Sequence, residues 1–166
     1  MSLLAEVVRF LEEQQVPHAL IGAGAMAIRG FSRGTADSDL LTLDASLLKS
    51  ERRESLTAGA SLEIFKGDFG ESLEGTIRLK AGPEVVDVVV GHDVWQRDLI
   101  AGADRMAVGD VTLPVVRAAG LGLLKLLTSS SERVHLCAEV ERTLPRLPEE
   151  ARRLWTRILS GSTPAA

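Results

Sequence analysis

Three aspartates carry the chemistry that this chain of 166 residues could perform. Asp37 and Asp39 lie two apart in a stretch that reads as a strand over 37–43, so both carboxylates leave one face. Carboxylates placed in this way can share hard cations, and two-metal sites hold their ions about 3.5–4 Å apart. A D-x-D pair alone is weak evidence, because paired acids at the start of a strand are often simply solvated. The third aspartate is Asp87, inside Val85-Val86-Asp87-Val88-Val89-Val90. Both faces of that run are apolar, which predicts a central strand, and an ionised carboxylate there is costly without a partner. Two readings stay open. Asp87 is paired with an arginine or with backbone amides, or it is a third metal ligand brought beside Asp37 and Asp39 by strand pairing.

Three carboxylates around two Mg²⁺ ions suit phosphoryl or nucleotidyl transfer. One ion lowers the pKa of an attacking hydroxyl, and the other bridges the phosphates and neutralises the leaving group. Just upstream, Arg33 and Thr35 could hold phosphate oxygens with a guanidinium and a hydroxyl. Arg33 reads otherwise as a plain surface arginine, the commoner case.

The glycines before this strand raise a competing chemistry. Gly22-Ala23-Gly24-Ala25-Met26-Ala27 satisfies G-x-G-x-x-A, the phosphate loop of dinucleotide-binding folds. That loop must open a helix long enough to cross back over a sheet. The helix expected over 25–29 is only about 7 or 8 Å long, and Gly30 and Gly34 interrupt it before the next strand. The dinucleotide reading is therefore disfavoured.

The elements around these residues follow from periodicity. Ser2 caps a helix whose Leu3, Leu4, Val7, Val8 and Leu11 form one stripe, and His18 to Ile21 is a short buried strand. A helix is expected over 45–56, strands over 61–65, 75–79 and 84–90, and a helix from Asp93 to about Ala103. Val111 to Val115 is a further strand, Ala118 to Leu127 an apolar helix, and Ser129 with Glu132 a capping box for another. Pro148 starts a last helix, and 161–166 reads as a frayed, disordered tail. This is one α/β or α+β domain over 1–160, a mixed sheet flanked by helices and helical at its C-terminal end.

Composition narrows the class of function. The chain is 45% hydrophobic and 25% charged, ordinary for a soluble globular protein, and no stretch is long and apolar enough to span a membrane. With no secretory leader evident, the cytoplasm is the expected location. Cys137 is the only cysteine, so neither a disulfide framework nor a thiolate zinc cluster is expected. A net charge of −4 and 4% aromatics argue against a nucleic-acid-coating protein or a base-stacking platform. His18, His92 and His135 have no partners at metal-ligand spacing, although His92 beside Asp93 follows the Asp87 strand and could edge a site.

Taken together, Ile21-Gly22-Ala23-Gly24-Ala25, then Gly30 and Arg33-Gly34-Thr35-Ala36-Asp37-Ser38-Asp39, resemble the signature of the nucleotidyltransferase superfamily. The R-x-T-x-D-x-D form, with an apolar strand after it, is most similar to the AbiEii-type branch of toxin–antitoxin nucleotidyltransferases. The similarity continues through Trp95, Gly109 to Val116 and Leu123-Leu124-Lys125-Leu126, and so covers roughly residues 16 to 127. It implies a nucleotidyltransferase fold in which Asp37 and Asp39 bind metal and Asp87 completes the site, as a ligand and as the base for the attacking hydroxyl. It further implies that Gly22 and Ala23 form the loop under the triphosphate and that Lys125 reaches back towards it. Lys125 also reads as a lysine snorkelling from an apolar helix. Ala23 stands where Gly or Ser is usual, Ser38 where an apolar residue is usual, and 129–139 lack the branch's G-R-x-x-D-x-x-D stretch.

The resemblance implies Mg²⁺-dependent transfer of a nucleoside monophosphate from an NTP to a hydroxyl acceptor, releasing pyrophosphate. The acceptor would be an RNA such as tRNA, a protein or a small molecule. The alternative is a weakly active or inactive binding module of the same fold, part of a toxin–antitoxin pair with a cognate antitoxin.

Overall fold

The computed structural model describes residues 1–30, 37–49, 52, 56, 59–67 and 73–128, with side chains as far as residue 124. The helices expected after Ser129 and Pro148, and the tail over 161–166, lie outside the described residues. The chain divides into two compact units, Met1–Arg117 and Ala118–Ala166.

In the first unit, helix α1 (Leu3–Glu13) starts where the sequence signals it, with the Ser2 hydroxyl accepting from the Ala5 N–H at 3.1 Å. Distant carboxylates complete this cap. Asp110 accepts from the Ser2 N–H at 2.8 Å, and Glu84 accepts from the Leu3 N–H. Both put negative charge at the positive end of the helix dipole.

Seven strands follow: β1 (His18–Ile21), β2 (Asp37–Thr42), β3 (Ser61–Lys66), β4 (Leu73–Ala81), β5 (Glu84–Gly91), β6 (Asp104–Val108) and β7 (Val111–Val115). They form one mixed sheet in the order β3-β4-β5-β2-β1-β7-β6. β2 pairs β5 in parallel and β1 pairs β7 in parallel, while the other neighbours are antiparallel. Helix α2 (Gly22–Ile28) joins β1 to β2, a 3₁₀ turn spans Ala45–Leu48, and α3 (Val94–Ala101) follows β5.

Alternation divides the sheet into two unlike faces. Leu20, Leu40, Ile77, Leu79, Val86, Val88, Val90, Leu113 and Val115 are buried on one face, where the α1 stripe packs against β5 and β7. Leu48 covers the same face at Gly75. The opposite face carries Glu63, Phe65, Arg78, Asp87, Asp37 and Asp39 in the β3–β4–β5–β2 half.

Several boundaries differ from the sequence expectation. The short helix begins at Gly22 instead of Ala25, because extended Ile21 and a Gly22 φ of +67° turn the chain from strand into helix with no intervening loop. β4 runs from Leu73 to Ala81, longer than 75–79 at both ends. The helix expected over 45–56 opens as the 3₁₀ turn, and most of its remainder lies outside the described residues. β6 was not expected at all. It pairs with β7 through the two-residue turn Gly109-Asp110, with Gly109 at φ +60°, so Val108 faces Val111.

In the second unit, α4 (Ala118–Thr128) is apolar, with Leu121, Leu123 and Leu124 buried. Among the described residues no helix is long and apolar enough to cross a membrane.

Candidate active site

The β4–β5 hairpin fixes one half of the site. Its turn is Gly82-Pro83, with Gly82 at φ +58°, and Ala81 faces Glu84. Arg78 and Asp87, four residues to either side of that turn, are therefore directly opposite each other. The arginine closes on the carboxylate with both arms of its fork, Nε donating to Oδ1 at 2.8 Å and Nη2 to Oδ2 at 2.7 Å. Asp87 is only 6% exposed, so its charge needs this partner. The Arg78 guanidinium also lies 5.6 Å from the centroid of the Phe65 ring on β3.

Parallel pairing supplies the other half. Asp39 on β2 stands opposite Asp87 on β5, and Asp37 stands opposite Val85. Neighbouring strands are about 4.8 Å apart, and residues two apart on one strand about 6.6 Å. Asp37, Asp39 and Asp87 thus share one face, about 5–8 Å apart at the backbone. Asp87 is ion-paired with an arginine, as the first reading has it, and strand pairing puts it opposite Asp39.

Asp39 also sits against the glycine turn. A Cβ at Gly22 would stand 1.9 Å from Asp39 Oδ2, so only glycine lets the carboxylate lie on that backbone. Ala23 and Gly24 continue the first turn of α2 beside β2. The far end of α2 is clasped by Arg29, which donates to the carbonyls of Val115 at 2.7 Å and Val116 at 3.2 Å and to Asp104 at 2.9 Å. This clasp ties the far end of α2 to the end of β7. The glycine motif does not join parallel strands, because β1 and β2 are antiparallel, so β1-α2-β2 is not the crossover βαβ unit that a dinucleotide loop needs.

Burial, followed by the charges of Asp87 and Asp37, pushes the Asp39 carboxyl up to about 6, with Arg78 opposing. The Arg78 guanidinium is held more firmly protonated by its hydrogen bonds and proximity to Asp87. An elevated carboxyl beside two other carboxylates is the condition that a divalent cation relieves, and oxygen donors are what Mg²⁺ prefers. Asp37 and Asp39 fit such an ion. Both oxygens of Asp87 already accept from Arg78, whose positive charge opposes a cation there, and among the described residues no three His, Cys, Asp or Glu side chains converge as an ion-holding group.

Other candidates fall elsewhere. His92 lies at the far end of β5, five residues past Asp87 and so roughly 16 Å along the strand, where its Nδ1 is 3.2 Å from Asp93. It does not edge this site. His18 is buried with Nε2 unpartnered, its Nδ1 lies 2.8 Å from the Val16 carbonyl, and burial lowers its pKa. Arg33 and Thr35 lie outside the described residues, as does the side chain of Lys125. Arg78 is the residue that sequence reasoning missed, although the Gly82-Pro83 turn offered a signal by counting equal steps away from it.

No protein-family model matches the sequence, and no curated protein matches it either. Solved structures do. A candidate nucleotidyltransferase from Thermotoga maritima aligns with a TM-score of 0.58 at 13% identity, over 87% of this chain and 92% of that one. One from H. pylori gives 0.52 at 13% identity, over 90% of this chain and 68% of that one. The solution structure of the antibiotic-resistance factor ANT(2'')-Ia gives 0.50 at 14% identity, over 95% and 90%. At such identities the likeness is one of fold. The chain has the nucleotidyltransferase fold, with its mixed sheet flanked by helices.

Proposed function

We propose that the protein transfers a nucleoside monophosphate from an NTP to a hydroxyl acceptor and releases pyrophosphate. The observation that carries this reading is the parallel β2–β5 register, which puts Asp39 beside Asp87 on the face that also bears Asp37, within a nucleotidyltransferase fold. The acceptor oxygen forms a bond to the α-phosphorus, and the bond from that phosphorus to the bridging oxygen breaks. Pyrophosphate leaves with the bonding pair, and the acceptor proton passes to a base or to solvent. Mg²⁺ bound at Asp37 and Asp39 would supply charge neutralisation for the triphosphate and the leaving group.

The chain's own residues have separable parts in this. Asp37 and Asp39 would hold the metal, and Gly22 keeps the backbone close enough for Asp39 to be aimed. The amides of Gly22 and Ala23 begin α2 next to that carboxylate, where triphosphate oxygens would approach. Arg33, Thr35 and Lys125 are proposed as further phosphate contacts, and Asp87 as the third carboxylate, ligand or base. The sequence pattern favours an AbiEii-type relative, with an RNA, a protein or a small molecule as acceptor.

A second reading has one observation behind it. Arg78 engages both oxygens of Asp87, as expected for a binding module with an idle site, such as one half of a toxin–antitoxin pair. Isothermal titration separates the two, with each of the four common NTPs tried with and without Mg²⁺. The enzyme reading expects binding that requires Mg²⁺, weakens at least tenfold in Asp39→Ala, and is accompanied by pyrophosphate release once an acceptor is present. Binding without pyrophosphate release across RNA, protein and small-hydroxyl acceptors favours the module. A folded protein that binds no NTP overturns both readings.

A further inference from the structure

The two interactions of Asp87 conflict. The Arg78 guanidinium bonded to both of its oxygens and a divalent cation beside Asp39 repel each other and compete for one negative charge. We propose that Arg78 is a displaceable counter-ion and a positioning residue: it pairs with Asp87 and aims it while no metal is bound, and it withdraws towards β3 when a divalent cation arrives. The proposal rests on the reading of Asp37, Asp39 and Asp87 as a metal site.

Geometry supports displacement. Asp87 is nearly enclosed, with its side chain 9% exposed, whereas the Arg78 side chain is 36% exposed, so the mobile partner is the arginine. On the side away from Asp87, β3 offers two acceptors for a guanidinium. The Phe65 ring already lies 5.6 Å from it, and Glu63 is directly opposite Arg78 in the β3–β4 register. Glu63 is at present held by Lys80 Nζ at 3.1 Å, and both side chains are well exposed, so this pair exchanges easily. A rotation of the Arg78 side chain then moves its charge from one carboxylate towards another without moving the backbone. A divalent ion can compete with the guanidinium at Asp87 because it brings twice the charge to the sheet face that carries Asp37, Asp39 and Asp87. Arg78 would act as a threshold: weak metal binding is resisted, and binding strengthened by a triphosphate is not.

Mn²⁺ alone is the test probe, followed by the electron paramagnetic resonance signal of the free ion and repeated with ATP present. Arg78→Gln removes the competing charge, and Mn²⁺ affinity without nucleotide is expected to rise about tenfold. Arg78→Lys keeps a charge but loses the bidentate fork, and an intermediate rise of about threefold is expected. The lysine variant also serves if the glutamine variant fails to fold, as judged by circular dichroism. Unchanged or weaker Mn²⁺ binding in folded Arg78 variants overturns the proposal. If Asp39→Asn meanwhile loses the ion, the metal-site reading survives that failure. A wild-type protein that binds no Mn²⁺, even with ATP, overturns both.

Discussion

Asp39 is held in a form that the fold itself disfavours at neutral pH. Its carboxyl, pushed up to about 6 from 3.8, makes folding favour the protonated group. The stability it contributes is present below about 4 and is lost as pH rises through 6. At this half-buried position the loss is on the order of 1–2 kcal/mol after allowance for solvent screening. Asp39→Asn should therefore raise the melting temperature of the metal-free protein at pH 7.5 by roughly 3–5 °C and leave it nearly unchanged at pH 4. The same substitution should abolish Mg²⁺-dependent NTP binding. A melting curve with no pH-dependent gain would show that neither burial nor the charges of Asp87 and Asp37 penalise the Asp39 carboxylate. Wild-type metal affinity should also weaken as pH falls below 6, because proton and cation compete for one carboxylate.

At the scale of elements, the glycine turn stays in place because α2 is pinned at its other end. Arg29 bridges two β7-end carbonyls and Asp104, which also accepts two bonds from Arg117. Arg29→Met preserves the aliphatic stem and removes every donor, and should cost about 2 kcal/mol while weakening NTP binding through a loosened turn. Thermal melting and titration on that variant check both effects; full affinity at reduced stability would separate the clasp from the site. How much of this was legible in the sequence depended on periodicity. The valine run announced β5, and the i, i+2 spacing put Asp37 and Asp39 on one face. The α1 stripe and its Ser2 cap were equally plain. β6 was hidden because Asp104-Arg105-Met106-Ala107-Val108 has little apolar alternation, although Gly109-Asp110 is a recognisable hairpin turn. Gly22 and Gly24 read as a loop because glycine is a poor helix former, and the neighbouring strand overrode that preference. The partner of Asp87 required knowing that β4 and β5 form one hairpin, a pairing that composition alone does not reveal.

For the first unit as a whole, the sheet is unequally anchored. Its inner strands β4, β5, β2, β1 and β7 carry the fully buried aliphatics, whereas β3 and β6 are edges with alternate or continuous exposure. Hydrogen exchange should consequently be slowest in β1, β2 and β5 and fastest in β3 and β6. Equal protection of β3 and β5 would mean that the exposed edge is covered in solution. Slow exchange is thus expected where the aspartates sit, and the rigid centre of the sheet sets their spacing. The register of β2 against β5 has one more consequence, for assembly of the protein over time. The two strands are about fifty residues apart in the chain yet lie side by side, and parallel partners of that kind meet only after a large loop has closed. A chain emerging from synthesis carries Asp37 and Asp39 long before Asp87 exists to face them. Capture of a cation by all three would then be an all-or-none property of the finished sheet, one that no early fragment could display.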